Sequence, residues 1–123
     1  MLPTQQGKLA EDYACSYLQK AGLTLLKRNF RYGRGEIDLI MQQKSLVVFV
    51  EVRYRKNAHY GSAIESIDLA KKQRLRKTAH FYLQQFDKQQ RFDWRYDWLG
   101  LSPAPEPQKF LVEWLQNAWE IDD

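Results

Sequence analysis

Three acidic residues and one arginine stand in two short segments whose other residues are apolar or glycine. The two segments are Gly35-Glu36-Ile37-Asp38 and, after twelve further residues, Glu51-Val52-Arg53. A charged side chain that leaves water is costly unless it is paired or binds a metal ion. Both segments have the pattern of buried strands, so their acidic side chains need a partner. The first partner to consider is one that serves a function, such as a bound metal ion.

Carboxylates that lie close together repel, so they either raise their pKa values or recruit a cation. At about 4 Å and an effective dielectric of about 20, the repulsion is about 4 kcal/mol. A site made only of oxygen ligands favours a hard ion such as Mg²⁺ or Mn²⁺. Such an ion polarises a phosphoryl oxygen and lowers the pKa of an attacking water, which suits phosphodiester cleavage. Arg53 would hold a phosphate or stabilise developing charge.

The elements that must position these residues can be read from the apolar pattern. Helical spacing predicts a first helix, capped by Thr4 and stopped by Gly22, and a capping-box pattern at 62–65 predicts the start of a second helix that ends at 87–90. Strands are predicted over 23–31, 36–41, 46–54, 92–98 and 109–114, with a tight turn marked by Gly33 and Gly35, loops at 55–63 and 102–107, and a short helical turn at 115–119. This order predicts one domain over residues 1–123, with an α/β fold and a mixed sheet flanked by helices. The apolar run over 46–50 predicts a central strand covered on both faces, and alternation predicts one aromatic and one charged face for 92–98.

Strand alternation decides which of the charged side chains can meet. Glu36 and Asp38 share a face, and so do Glu51 and Arg53. If the second and third strands pair through a turn at 42–45, Glu36 lies near Glu51, and Asp38 lies diagonally from it at about 7–8 Å. The structural alternative is an ion pair between Glu51 and Arg53, with Glu36 and Asp38 in solvent.

Charge is distributed unevenly along the chain. Residues 53–80 carry eight Lys and Arg against two Asp and Glu, a net charge of +6, whereas residues 81–123 carry −4. A basic surface attracts polyanions by releasing counterions, so we expect nucleic acid as the partner. A solvated helix face is the alternative. The residues predicted to contact nucleic acid are Arg55, Lys56, Lys71, Lys72 and Arg74.

Cysteine content and hydropathy limit the cellular compartment in which the protein is expected. The single Cys15 excludes an intramolecular disulfide and a cysteine-based zinc site, and no signal peptide or membrane-length apolar run is evident. We therefore expect a cytoplasmic protein with no membrane partner. Whether Trp114 and Trp119 cover a sheet edge or form a homodimer contact is left open.

These blocks resemble the PD-(D/E)xK nuclease superfamily and, within it, the YraN family of small bacterial proteins. The resemblance spans roughly residues 7–98, and the segments that carry it most specifically are Gly35–Ile40 and Phe49–Arg53. It implies an endonuclease-like α-β-β-β-α-β core, with Asp38 and Glu51 as metal ligands and catalytic residues. It also implies that Glu11 matches a helix-one ligand of resolvase-like branches; a solvent-facing Glu11 beside Asp12 is the alternative.

Arg53 departs from the superfamily pattern, which has Lys at this position. Lys can lose its proton and activate water, whereas Arg stays charged. The sequence thus predicts a nucleic-acid-binding protein, with DNA as the expected ligand, and a Mg²⁺ or Mn²⁺ site formed by Glu11, Asp38 and Glu51. Such a protein would act as an endonuclease or resolvase-like enzyme through Asp38, Glu51 and Arg53. A non-catalytic nucleic-acid-binding module and a protein-interaction domain are the alternatives.

Overall fold

The computed structural model describes residues 5–56 and 68–119. In chain order the elements are α1 (Gln5–Lys20), β1 (Thr24–Tyr32), β2 (Gly35–Gln43), β3 (Leu46–Tyr54), α2 (Leu69–Phe86), β4 (Asp93–Pro103) and β5 (Phe110–Leu115). The α/β fold with a mixed sheet and flanking helices is confirmed.

The five strands form one sheet in the order β1-β2-β3-β4-β5. All neighbouring strands are antiparallel except β3 and β4, which are parallel. A parallel pair needs a long crossover connection, and the segment that contains α2 provides it. The central position of β3, predicted from its apolar run, is confirmed, and β3 is paired along both edges.

Each face of the sheet carries its own apolar core. On the α1 face, β-strand residues such as Leu39, Val48 and Leu99 pack with Ala14 and Leu18. On the α2 face, Ile40, Val47, Phe49 and Tyr96 pack with Leu75 and Ala79. The two helices therefore cover opposite faces, and any site at the end of β2 and β3 lies within reach of α2.

The ends of α2 are fixed by two aspartates. The Asp68 carboxylate accepts a hydrogen bond from the Lys71 backbone N–H at 2.8 Å, and the Asp87 N–H donates to the Leu83 carbonyl at 2.7 Å. The predicted end near Asp87 is confirmed. The capping-box segment 62–65 and Thr4 lie outside the described residues.

The C-terminal part departs from two predictions. β4 continues to Pro103, which pairs with Phe110, although residues 102–107 were predicted to be a loop. A proline is tolerated there because it ends the strand. The predicted helical turn over 115–119 is also wrong, because Gln116 and Asn117 form a turn and Asn117 has a positive φ of 51°.

The aromatic face predicted for residues 92–98 divides between core and surface. Tyr96 and Trp98 are buried, whereas Trp94 is 39% exposed. Trp119 is buried as well and stacks on Tyr96 with ring centroids 5.7 Å apart. Within the described ranges, neither helix is long and apolar enough to cross a membrane.

Candidate functional site

The carboxyl groups of Asp38 and Glu51 meet where β2 and β3 stop pairing. The ladder ends at the pair Leu39 and Val50, so Asp38 and Glu51 are the next positions along the two strands. The Val52 backbone N–H, which would otherwise continue the ladder, donates to Asp38 Oδ2 at 2.8 Å. Asp38 thus replaces a backbone acceptor, and its side chain is held against β3.

The register between β2 and β3 differs by two residues from the predicted one. Gln43 pairs with Leu46, so the hairpin has a two-residue loop, whereas a turn over 42–45 was predicted. Lys44 adopts the positive φ, 54°, that such tight hairpin loops require. Glu36 consequently does not lie opposite Glu51. It pairs with Arg31 of β1, whose Nη2 lies 3.3 Å from Glu36 Oε2.

A cavity of about 240 Å³ opens beside the two carboxyl groups. Its walls come from β2, β3, α2 and the turn before β2. The lining residues are Arg34, Gly35, Glu36, Asp38, Glu51, Lys71, Arg74 and Leu75. Cationic and anionic groups therefore face one another across a space that can admit a small ion and a phosphate.

Gly35 lets α2 approach the sheet closely enough to form this cavity. A Cβ at position 35 would overlap Thr78 Oγ1 and lie 2.7 Å from the Arg74 carbonyl oxygen. Gly33, in contrast, has a positive φ of 59° and open space around it. The two glycines were both predicted to serve a tight turn, but only Gly33 does so.

Glu51 is almost fully enclosed and contacts two cations. Its Oε2 lies 2.6 Å from Lys71 Nζ and 3.0 Å from Arg53 Nη2, and its side chain is 7% exposed. The ion pair between Glu51 and Arg53, which was the structural alternative to a metal site, is thus present. The same alternative expected Asp38 to lie in solvent. That expectation is wrong, because Asp38 is half-buried and hydrogen-bonded to β3.

The two carboxyl groups have opposite pKa shifts. Burial, followed by the negative charge of Glu51, raises the pKa of Asp38 well above its ordinary value. Burial alone would raise the pKa of Glu51 too, but a hydrogen bond from Asp38 and the nearby charges of Lys71 and Arg53 lower it. These opposite shifts favour a protonated Asp38 that donates a hydrogen bond to an ionised Glu51, so that the two acids share one proton.

Glu11 is engaged next to this cavity, outside its lining. Its Oε1 accepts hydrogen bonds from Arg28 Nη2 at 2.9 Å and from Asn29 Nδ2 at 3.0 Å. The Arg28 guanidinium also contacts Asp12 at 2.7 Å. Because Glu11 is only 16% exposed, the solvent-facing alternative is wrong. Its negative charge also contributes, after burial and Glu51, to raising the pKa of Asp38.

The acids present fit a hard divalent cation held by few protein ligands. Across residues 5–56 and 68–119, no group of three or more His, Cys, Asp and Glu side chains converges on one point. Mg²⁺ commonly uses one or two carboxylates and completes its shell with water and substrate phosphates. Asp38 and Glu51 supply that number, and a cation could take the place of the proton that they share.

The residues predicted to contact nucleic acid fall into two groups. Lys71 and Arg74 line the cavity, and Lys72 is half-buried beside them on α2. Arg55 and Lys56 directly follow β3, and the Arg55 N–H donates to the Leu101 carbonyl at 2.8 Å. The rest of the predicted loop, including His59 and Gly61, lies outside the described part of the chain.

Two features of the site were not predicted from the sequence. The contact of Lys71 with Glu51 depends on how α2 docks, which the sequence does not specify. Arg34 was not singled out from the sequence, although its place directly before the acidic block was a usable signal. Both add positive charge to the immediate surroundings of the two acids.

Asp97 is a second buried acid, and its environment differs from that of Asp38. It is fully buried, yet it accepts hydrogen bonds from Arg95 Nε at 2.9 Å, Trp114 Nε1 at 2.9 Å and the Asn117 N–H at 2.8 Å. With its oxygens bound in this way, Asp97 is a structural acid that ties β5 and the following turn to β4.

Comparison with known proteins places this chain among relatives of similar length. The model of the uncharacterised protein family UPF0102 matches residues 10–97. A UPF0102 protein of Pseudomonas putida is 43% identical over 118 residues, which cover 96% of this chain and 94% of the relative. UPF0102 proteins of Vibrio parahaemolyticus and Coxiella burnetii are 42% and 40% identical, over 93% and 92% of this chain and 91% and 90% of their own lengths.

Proposed function

The chain belongs to the uncharacterised protein family UPF0102, and from the geometry of its site we propose that the protein binds nucleic acid and cleaves it with a divalent cation. The cation, Mg²⁺ or Mn²⁺, would be held by Asp38 and Glu51. The substrate backbone would lie along the cationic face of α2. DNA is the substrate that the resemblance to PD-(D/E)xK nucleases favours.

The observation that carries this proposal is the pair of carboxyl groups of Asp38 and Glu51 in one cavity with cationic side chains. Two acids that are buried together, with one pKa raised and the other lowered, are typical of functional sites. Asp97 shows that this protein can bury an acid with a full set of donors. Asp38 receives one backbone hydrogen bond and faces another acid, which is an arrangement suited to a cation.

The surrounding residues have distinct roles in the proposed reaction. When bound, the cation would supply Lewis-acid polarisation of the phosphate and a more acidic water. Arg53 and Lys71 hold Glu51 ionised and oriented, since both contact its Oε2. Arg34 and Arg74, which line the cavity from the turn before β2 and from α2, would hold phosphate oxygens next to the scissile bond.

A cleavage assay tests the proposal. The purified protein is incubated with single-stranded, nicked and branched DNA in Mn²⁺ or in EDTA, beside an Asp38→Ala, Glu51→Ala double variant prepared in the same way. We expect products only in Mn²⁺ and only from the wild-type protein. Cleavage that persists in the double variant would come from a contaminant and would refute the assignment.

A non-catalytic nucleic-acid-binding module on the same fold is the second candidate. It is favoured by Arg53, which stays charged where a nuclease usually has Lys, and by the two cations that already neutralise Glu51. This candidate predicts DNA affinity that falls steeply with added salt, with no cleavage in either metal. Metal-dependent products in the assay above would exclude it.

A further inference from the structure

An aromatic ring of α2 stacks with two aromatic rings of β1, one of which is half-exposed. Phe81 of α2 stacks on Tyr32 of β1 with centroids 4.0 Å apart and an interplanar angle of 12°. Phe30 stacks on Phe81 at 6.3 Å and 24°. Tyr32 is nevertheless 45% exposed, although Phe81 covers its ring on one side. A half-exposed aromatic ring of this kind offers a surface on which a further planar group can stack.

Tyr32 and Phe81 line a second cavity, of about 250 Å³, that carries positive charge. Its lining residues are Tyr32, Arg76, Lys77, His80, Phe81 and Gln84. This set contains no acid. Over its whole length, α2 carries five Lys and Arg and no Asp or Glu. The aromatic surface is therefore set in a cationic environment that suits a polyanion with planar groups.

This second cavity adjoins the one that holds Asp38 and Glu51. Tyr32 is the direct cross-strand partner of Gly35, which lines the carboxylate cavity. On α2, Lys77 follows Arg74 by one helical turn, so the two cavities share one cationic ridge. A nucleic-acid strand with one phosphate beside Asp38 and Glu51 can thus place a neighbouring nucleotide at Tyr32.

We propose that Tyr32 stacks an unpaired nucleobase, and that the substrate is therefore single-stranded at the nucleotide next to the carboxylate cavity. Bases in a duplex have both faces covered by their neighbours, so only an unstacked base can use this surface. Aromatic stacking within a positive groove is the usual means of gripping single strands without reading their sequence. This inference rests on the proposed function and names its substrate class.

Binding measured without cleavage tests the inference. Fluorescence anisotropy in EDTA and low salt compares a labelled oligothymidine with a duplex of the same length. We expect Tyr32→Ala to weaken single-strand binding about tenfold, which is within the range for loss of one stacked base. Duplex binding should change less than about twofold. Tyr32→Phe should bind like wild type, because stacking does not need the hydroxyl group.

Tyr17 provides the matched control, since it is an aromatic residue on α1 that is 38% exposed, and Tyr17→Ala should bind both ligands normally. Equal losses for the two ligands in Tyr32→Ala, or no loss, would overturn the inference and leave the proposed function standing. If the wild type binds neither ligand, the proposed function fails as well.

A second measurement needs no variant, so it does not depend on the folding of Tyr32→Ala. The wild-type protein is irradiated with an oligonucleotide that contains 5-iodouracil, and the crosslinked peptide is identified by mass spectrometry. A crosslink at Tyr32 supports the stacked base. Crosslinks that are confined to other residues refute it.

Discussion

Lys71 Nζ of α2 lies 2.6 Å from Glu51 Oε2 of β3, and this ion pair joins the basic helix to the acidic site. The contact is enclosed, because Glu51 is 7% exposed and Lys71 is 31% exposed. β3 itself contributes Arg53 to the same oxygen at 3.0 Å. Glu51 is thus the point at which the predicted metal site and the predicted nucleic-acid surface meet.

Lys71 and Lys72 should differ sharply in their effect on cleavage. Lys71→Met and Lys72→Met each remove one charge from α2, but Lys71 contacts Glu51 and lines the carboxylate cavity. We expect Lys71→Met to slow cleavage about ten- to a hundredfold, the size of loss expected when a partner that orients a metal ligand is removed. Lys72→Met should mainly weaken DNA binding. Single-turnover rates at saturating protein separate the two effects.

The outcome that contradicts this prediction is an equal loss of cleavage in both variants. Salt titrations serve as the control, because each variant should lower the slope of log affinity against log salt concentration by about one. A slope change without a rate change in Lys71→Met would assign Lys71 to binding alone.

Mn²⁺ affinity should depend on Asp38 and Glu51 more than on Glu11. Asp38→Asn and Glu51→Gln each remove a charged ligand, so we expect losses of at least about tenfold. Glu11→Gln should lower the affinity less, since Glu11 Oε1 is held by Arg28 and Asn29 and acts on the cavity through its charge. Isothermal titration with Mn²⁺ measures all three variants. A larger loss in Glu11→Gln than in Asp38→Asn would make Glu11 a direct ligand.

Asp38 should destabilise the folded protein at neutral pH. Its pKa in the folded state is raised above 3.8, so on unfolding it releases a proton at any pH between these two values. Stability from this group is present below about pH 4 and is lost as the pH rises through the folded-state pKa. The loss is about 1.4 kcal/mol for each unit of pKa shift. Urea unfolding at a series of pH values measures it.

Asp38→Asn isolates this effect, because an amide can still accept from Val52 and donate to Glu51 as a protonated Asp38 does. We expect the variant to be more stable than wild type at pH 7 and to match it near pH 4. Asp97→Asn is the control and should have the opposite effect on stability. It weakens the charge-assisted hydrogen bonds from Arg95, so we expect the free energy of unfolding to fall by about 2 kcal/mol. Destabilisation by Asp38→Asn at pH 7 would contradict the shared-proton arrangement.

The sequence predicted the fold and the acidic pair because both depend on local patterns. The apolar run of β3 and the alternation around Asp38 and Glu51 specify strands and faces. The register was missed because it depends on the conformation of one residue, Lys44, whose positive φ allows a loop that is two residues shorter than predicted. A shift of two residues preserves faces, so Asp38 takes the place beside Glu51 that was predicted for Glu36.

Contacts between elements that are distant in the chain could not be predicted in this way. The positions of Lys71 at Glu51 and of Phe81 on Tyr32 both depend on the docking of α2 against the sheet. Asp97 was read as part of a charged strand face, but β5 and the turn at Asn117 bury it. Periodicity assigns a residue to a face and does not say what later covers that face.

Gly35 should tolerate a methyl group far less well than Gly33. Gly35→Ala places a Cβ against Thr78 Oγ1 and 2.7 Å from the Arg74 carbonyl oxygen, so α2 must move away from β2. We expect a loss of about 3 kcal/mol in the free energy of unfolding, the upper end for overpacking. Gly33→Ala meets open space, and only its positive φ is unfavourable, so about 1 kcal/mol is expected. Urea denaturation compares the two variants.

The same pair of variants tests whether the docking of α2 forms the site. Any shift of α2 from Gly35 moves Lys71 and Arg74 relative to Glu51, so Mn²⁺ affinity and cleavage should fall in Gly35→Ala and persist in Gly33→Ala. Adding Thr78→Ala to Gly35→Ala should restore only part of the stability, because the backbone carbonyl of Arg74 still blocks the Cβ. Full restoration would show that Thr78 alone sets the approach of α2, and equal losses in Gly33→Ala and Gly35→Ala would show that close packing at Gly35 does not form the site.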